Sequence, residues 1–205
     1  MKITVVDYGV GNLFSVKQAL RKLNFEFQCD EDGSLINKSD LIIVPGVAAF
    51  GTGLTNLGLY HQKEQIEDFQ AKGKPIIGLC LGAQMFFESS TEAKDVPGLS
   101  LIKGKVVDLN IEICRVPKQG WSRVGFGGDG IFGEFSGKYF YFSHSYKMVP
   151  DDDEVSIGKT SYGNESVVAV YNDANILGVQ FHPERSGPDG LEFLQKAINT
   201  AIIWA

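Results

Sequence analysis

The sequence predicts an α/β fold, a mainly parallel sheet flanked by helices with an antiparallel portion in the second half. Two observations carry this. Over roughly the first 90 residues, short β-branched and apolar runs alternate with stretches of helical spacing, the pattern of strands joined by crossover helices. From about Gly104 onward, strand-like runs follow one another with few helices between them, which favours antiparallel pairing. No repeat, low-complexity tract or linker interrupts the 205 residues, so 1–205 reads as a single domain.

Lys2 to Asp7 is β-branched and apolar, the first strand, and Tyr8-Gly9-Val10-Gly11-Asn12 is the turn after it. Leu13 to Leu23 places Leu13, Val16, Leu20 and Leu23 on one helical face. Gly9 and Gly11 after a strand are similar to part of a dinucleotide fingerprint, but Phe14 stands where its third glycine belongs. A tight strand-to-helix turn is the preferred reading. Phe25 to Cys29 is a second strand, and Leu41 to Val44 a third that ends at Pro45-Gly46-Val47. A helical region, clearest from Glu64 to Lys72, leads to the fourth strand at Pro75-Ile76-Ile77, and Ala83 to Glu88 reads as the start of another helix. Further strands are predicted at Lys105 to Leu109, Tyr139 to Phe142, Val155 to Ile157, Val167 to Val170 and Ile176 to Val179. Gly125 to Gly133 reads as a glycine-rich loop, and Asp151 to Glu154 as a solvated acidic turn. Gly190 to Trp204 is a closing helix with Leu191, Leu194, Ile198 and Ile202 on one face.

Composition narrows the function. The chain is 43% hydrophobic, ordinary for a globular protein, and its net charge of −6 argues against nucleic acid or an anionic membrane as the main partner. No stretch approaches the roughly 20 apolar residues of a membrane span. Cys29, Cys80 and Cys114 are odd in number and far apart, which predicts no disulfide framework. Met1 runs directly into a strand, so no signal peptide is expected and the chain reads as cytoplasmic. Neither the cysteines nor the three histidines have zinc-ligand spacing, and no metal or other cofactor is expected.

The chemistry centres on Gly78-Leu79-Cys80-Leu81-Gly82-Ala83-Gln84. A cysteine between a strand and a helix, flanked by glycines, reads as a nucleophile elbow that lifts the sulfur to the carboxyl edge of the sheet. A helix N-terminus there favours thiolate over thiol. In Val179-Gln180-Phe181-His182-Pro183-Glu184, an imidazole and a carboxylate stand two residues apart, on one side of an extended segment that Pro183 helps keep extended. Pro45-Gly46-Val47, Cys80-Leu81 and His182-Pro183-Glu184 all lie at strand carboxyl ends, where open parallel sheets place their sites. The assignment is Cys80 as nucleophile, His182 as base and Glu184 as the acid that orients the imidazole. The N–H of Leu81 and one from Gly46-Val47-Ala48 are the candidate oxyanion donors.

These three motifs, in this order, resemble the class I (triad) glutamine amidotransferases. The resemblance spans nearly the whole chain. It implies hydrolysis of glutamine through a γ-glutamyl thioester with release of ammonia, and it places Gln84 and Ser143-His144-Ser145 along the glutamine pocket. His61 reads as a surface residue. Four further segments are more specific: Val6 to Leu13, Phe87-Glu88-Ser89-Ser90, Gln119-Gly120-Trp121 and His182 to Gly187. They resemble the glutaminase subunit of imidazole glycerol phosphate synthase, from histidine biosynthesis. In that family a separate cyclase subunit, a (β/α)8 barrel bound as a heterodimer, uses the ammonia to convert a phosphoribulosyl aminoimidazole carboxamide nucleotide. The resemblance implies an interface at Asn12 and a loop of Pro117, Lys118, Gln119, Gly120, Trp121 and Ser122.

A need for a partner follows from chemistry as well. The glutaminase motifs occupy residues 45 to 184, leaving no room here for an acceptor domain. Ammonia released into neutral water would be protonated and lose its nucleophilicity. Two departures from the family pattern stand out. Ala48 takes the last place of a Pro-Gly-Val-Gly segment, where a positive φ would strain it. The interface loop differs at Lys118, Gln119 and Ser122 from Pro-His-Met-Gly-Trp-Asn. A paralogue that supplies ammonia to amidinate a surface-polysaccharide sugar is therefore the alternative.

Overall fold

A computed structural model of the chain describes residues 1–109, 112, 115–127 and 130–203. Cys114 and Trp204 lie outside these, as does the side chain of Ile202. The first half alternates as predicted. β1 (Ile3–Val6), α1 (Leu13–Lys22), β2 (Phe27–Asp30), β3 (Leu41–Gly46), α2 (Phe50–Leu59), α3 (Lys63–Ala71) and β4 (Ile76–Cys80) lead to a short α4 (Leu81–Met85). There follow β5 (Phe87–Ser90), β6 (Ile102–Asp108), β7 (Lys118–Arg123), β8 (Gly125–Phe126), β9 (Tyr139–His144) and β10 (Tyr146–Pro150). The chain then forms β11 (Gly158–Tyr162), β12 (Glu165–Asp173), β13 (Ile176–Val179) and a closing α5 (Gly187–Ile203).

Eight strands form the central sheet in the order β2-β1-β3-β4-β13-β12-β11-β8. Its β2 to β13 portion is parallel, and β13-β12-β11-β8 is antiparallel. The parallel strands β1, β3, β4 and β13 are buried along their whole lengths, as strands covered on both faces must be. Alternation sends Ile77 and Leu79 into the layer shared with α1 and α5, and Ile76 into the layer shared with α2 and α3. In the first layer Phe193 of α5 packs against the rings of Phe132, Phe135, Phe140 and Phe181 at 4.9–5.7 Å. Burying one such ring contributes about 2–3 kcal/mol. β6 pairs with β10 and β5 in a second sheet, and β7 with β9 in a third.

Several sequence expectations shift. The segment after Cys80 is one turn of helix followed by strand β5, rather than a helix running from Ala83 to Glu88. Val155 closes a 3-10 turn, and the strand predicted at Val155 to Ile157 begins at Gly158. The predicted Pro117 to Ser122 loop is mostly strand β7, paired in register with β9 from Lys118↔His144 to Arg123↔Tyr139. Within the predicted Gly125 to Gly133 loop, Gly125–Phe126 pairs as β8, and a 3-10 turn starts at Gly133.

Candidate active site

The registers of β3, β4 and β13 bring their carboxyl ends together, with Gly46 opposite Cys80. Cys80 turns the chain from strand to helix at φ 53° and ψ −109°, a strained conformation for a residue with a side chain. The glycines beside it are required by space. A Cβ on Gly82 would lie 1.8 Å from the Val44 carbonyl oxygen, and one on Gly78 would lie 2.7 Å from the Ala83 backbone. The helix α4 that follows is only five residues long, too short to develop a full macrodipole.

His182 and Glu184 follow β13. The segment is not extended throughout. His182 is extended, but Pro183–Arg185 form a 3-10 turn with the proline at its start. That turn folds the Glu184 carboxylate back to 2.9 Å from His182 Nδ1, with the two side chains only 3% and 2% exposed. Nδ1 therefore carries the proton shared with Glu184, which leaves Nε2 to the Cys80 sulfur. Burial opposes charging the imidazole, but the charge and hydrogen bond of Cys80, and then Glu184, outweigh it and push His182 up to about 10. The imidazolium is the form of His182 that this favours.

Cys80 and His182 open onto a cavity of about 340 Å³ lined also by Val47, Leu81, Gln84, Ser143, His144 and Ser145. The phenol of Tyr8, fully buried, donates to the Pro45 carbonyl and lies where a Cβ on Gly46 would be, fixing the strand end beside Cys80. Burial, reinforced by the charge of Cys80, raises the Tyr8 phenol far out of the titrating range, so it acts as a neutral donor. Among the described residues the non-glycine positive φ values fall at Asn24, His61, Cys80, Ser100 and Ala174, so Ala48 sits in an ordinary conformation. No group of three or more metal-ligating side chains occurs among the described residues.

The family model for "Glutamine amidotransferase class-I" matches residues 4–200. The chain belongs to the class-I glutamine amidotransferases. Imidazole glycerol phosphate synthase subunit HisH of Sulfurimonas denitrificans is 42% identical over 198 residues, covering 94% of this chain and 95% of the relative. The subunit of the same name from Aquifex aeolicus is 38% identical, covering 95% of each. A crystal structure described as a glutamine amidotransferase superposes with a TM-score of 0.72 at 18% identity, covering 95% of this chain and 98% of that one. PurLQS from Thermotoga maritima gives 0.71 at 21% identity, covering 97% and 98%, and shares the fold.

In this amidotransferase the cavity also includes Glu92, Tyr146 and Arg185, which the sequence reading missed. Glu92 carries no local signal; it arrives from the turn after β5 and is tied by the Phe50 N–H at 2.8 Å. Gln180 was missed too, although strand alternation puts it on the same side as His182. His144 Nδ1 lies 2.7 Å from the Tyr146 carbonyl, so Nδ1 is protonated and Nε2 is an acceptor without a partner among the described residues. Burial, against the pull of that carbonyl and helped by Lys118 and His182, lowers His144 to about 4, and it is neutral.

Of the expected interface residues, Pro117 lines the cavity; Pro117 and Gln119 are exposed, and Asn12, Gly120 and Ser122 are partly exposed. Trp121 is 55% exposed, with its ring edge-on to Tyr141 at 6.2 Å. Lys118 differs from the others: β-pleating turns it inward to 1% exposure, with Nζ over the Phe142 and Tyr162 rings at 4.4 and 4.9 Å. It supports the wall behind His144 and does not face outward. His61 is exposed, at the end of α2.

Proposed function

We propose that this chain is the glutaminase subunit of imidazole glycerol phosphate synthase, hydrolysing glutamine and passing ammonia to a separate (β/α)8-barrel cyclase subunit. The observation that carries the reading is the Cys80–His182–Glu184 cluster at an elbow, in a chain that is 42% identical to a subunit of that name over 94% of its length. Glutamine enters the cavity with its α-ammonium toward Glu92, the carboxylate lining it. The Cys80 thiolate adds to the γ-carboxamide carbon, and the oxyanion is met by the Leu81 N–H and one from Gly46-Val47-Ala48. The His182 imidazolium gives its proton to the departing nitrogen, the C–N bond breaks, and ammonia leaves a γ-glutamyl thioester. Water then adds to the thioester, His182 takes its proton, and glutamate departs as the thiolate re-forms.

The ammonia must leave toward a docked acceptor. Trp121, Phe14 at 72% exposure and the exposed Arg185, stacked on Tyr141 at 4.5 Å, offer aromatic and cationic groups of the kind enriched at interfaces. With the cyclase subunit and its nucleotide present, glutamine should support imidazole glycerol phosphate formation. Cys80→Ala should abolish that activity, while added ammonium salt still drives the cyclase in the same complex. Glutamine turnover surviving in Cys80→Ala refutes the nucleophile. Glutamine hydrolysis in the complex with no turnover of the nucleotide favours the sugar-modifying alternative, which the changed Gln119 and Ser122 would then explain.

A further inference from the structure

Besides His182, the sulfur of Cys80 has two polar neighbours: the Ser143 carbonyl oxygen at 4.0 Å, which would accept from a thiol, and a side-chain amide. Gln180 on the approach to His182 is completely buried, and its amide nitrogen lies 3.8 Å from Cys80 Sγ. Its amide oxygen lies 2.9 Å from Gln84 Nε2, and Gln84 Nε2 lies 3.1 Å from the Tyr146 carbonyl. The orientation of both amides follows from that last contact. A backbone carbonyl only accepts, so the Gln84 atom facing it is the NH2 group. The second hydrogen of that NH2 meets Gln180, which must present its oxygen to it. Gln180 is then left with its own NH2 toward the sulfur. The relay Tyr146 carbonyl–Gln84–Gln180–Cys80 therefore ends on a donor, and a buried donor favours the anionic form of an acceptor.

We propose that Gln180 is a donor to the nucleophilic sulfur, stabilising the Cys80 thiolate, and that Gln84, besides lining the glutamine cavity, is the positioning residue that aims it. The Gln84 oxygen remains free of this relay and available to substrate. The proposal rests on Cys80 being the nucleophile. The elbow helix is five residues long, so a side-chain donor would add to what its few N–H groups supply. Gln180 forms no bond with substrate and transfers no proton; its effect is on how much sulfur is ionised at a given pH.

The test is the pH profile of Cys80 alkylation by iodoacetamide in the full chain, read on the Cys80 peptide by mass spectrometry so that the other cysteines do not contribute. Gln180→Met keeps the length and removes the donor; Gln180→Glu replaces the donor with an anion. The alkylation midpoint should rise by about one pH unit in Gln180→Met and further in Gln180→Glu. Glutaminase kcat of the holoenzyme should fall roughly tenfold in Gln180→Met with KM within about twofold. A purely structural role would move thermal stability and leave the midpoint unchanged; a midpoint unmoved in both folded variants overturns the proposal. If neither variant folds, Gln84→Met decides: a raised midpoint supports the relay and an unmoved one rejects it. Turnover retained in Cys80→Ala would fail the nucleophile assignment itself, which is a different result from an unmoved midpoint.

Discussion

His144 shows what burial does to one side chain. Unfolded, its imidazole titrates near 6.5; folded, near 4, chiefly because burial penalises the charge. Between those values the unfolded chain binds the extra proton, so the stability tied to His144 is complete above pH 6.5 and is lost as pH falls toward 4. His182 has the opposite sign. Its raised value means its share is present below 6.5 and is lost only as pH climbs toward 10, so the two windows do not overlap. His144→Gln should therefore flatten the fall in unfolding free energy between pH 6.5 and 4, by on the order of 3 kcal/mol. Urea titrations at pH 4.5 and 7 measure it. An unchanged fall would mean that His144 is protonated in the folded state without cost.

At the level of elements, β2 and the loop after it depend on one buried carboxylate. Asp30 ends the strand and accepts the N–H groups of Asp32, Gly33, Leu35 and Ile36 at 2.7–3.0 Å. Gln62 before α3 bridges the same region, donating to the Asp30 and Asp7 carbonyls at 2.8 and 3.0 Å. Helix α3 is thereby tied to the ends of β1 and β2. Asp30→Asn puts an NH2 against N–H donors and leaves backbone groups unpaired. It should cost about 2–4 kcal/mol in chemical unfolding. A loss under about 0.5 kcal/mol would mean that water replaces the carboxylate.

On the scale of the whole molecule, the sheet gathers the site at one edge, and β7, β9 and the start of α1 place exposed groups around it. Trp121 separates the roles of this surface because its ring contributes little to the core. Trp121→Ala should weaken binding of the cyclase subunit by about tenfold or more and leave the melting temperature of the isolated chain within about 2 °C. Calorimetric titration with the cyclase subunit, beside a thermal melt, gives both readings. Affinity equal to the parent would place the interface elsewhere. The inward turn of Lys118 predicts the reverse pattern for that residue, with its effects appearing first in stability.

Cys80 between its glycines, His182 and Glu184 two apart, and the alternating strands of the first half are all legible along the chain, because each depends on neighbours within a few positions. The antiparallel second half was legible as strands but not as three separate sheets, since pairing depends on partners far away in sequence. Pleating, not composition, decides that Lys118 faces inward while Trp121 faces out. Glu92 and Tyr146 reach the cavity only because β5, β6 and β10 pair. Gln180 carried a readable alternation with His182, yet its meaning required Gln84, 96 positions away, to fix which end of the amide meets the sulfur. The local code thus determined the proposed reacting groups and the elbow that presents Cys80. Tertiary structure decided the charge states of His144 and His182 and the surroundings of the site, because burial, hydrogen-bond direction and cavity shape arise only when distant segments close on one another.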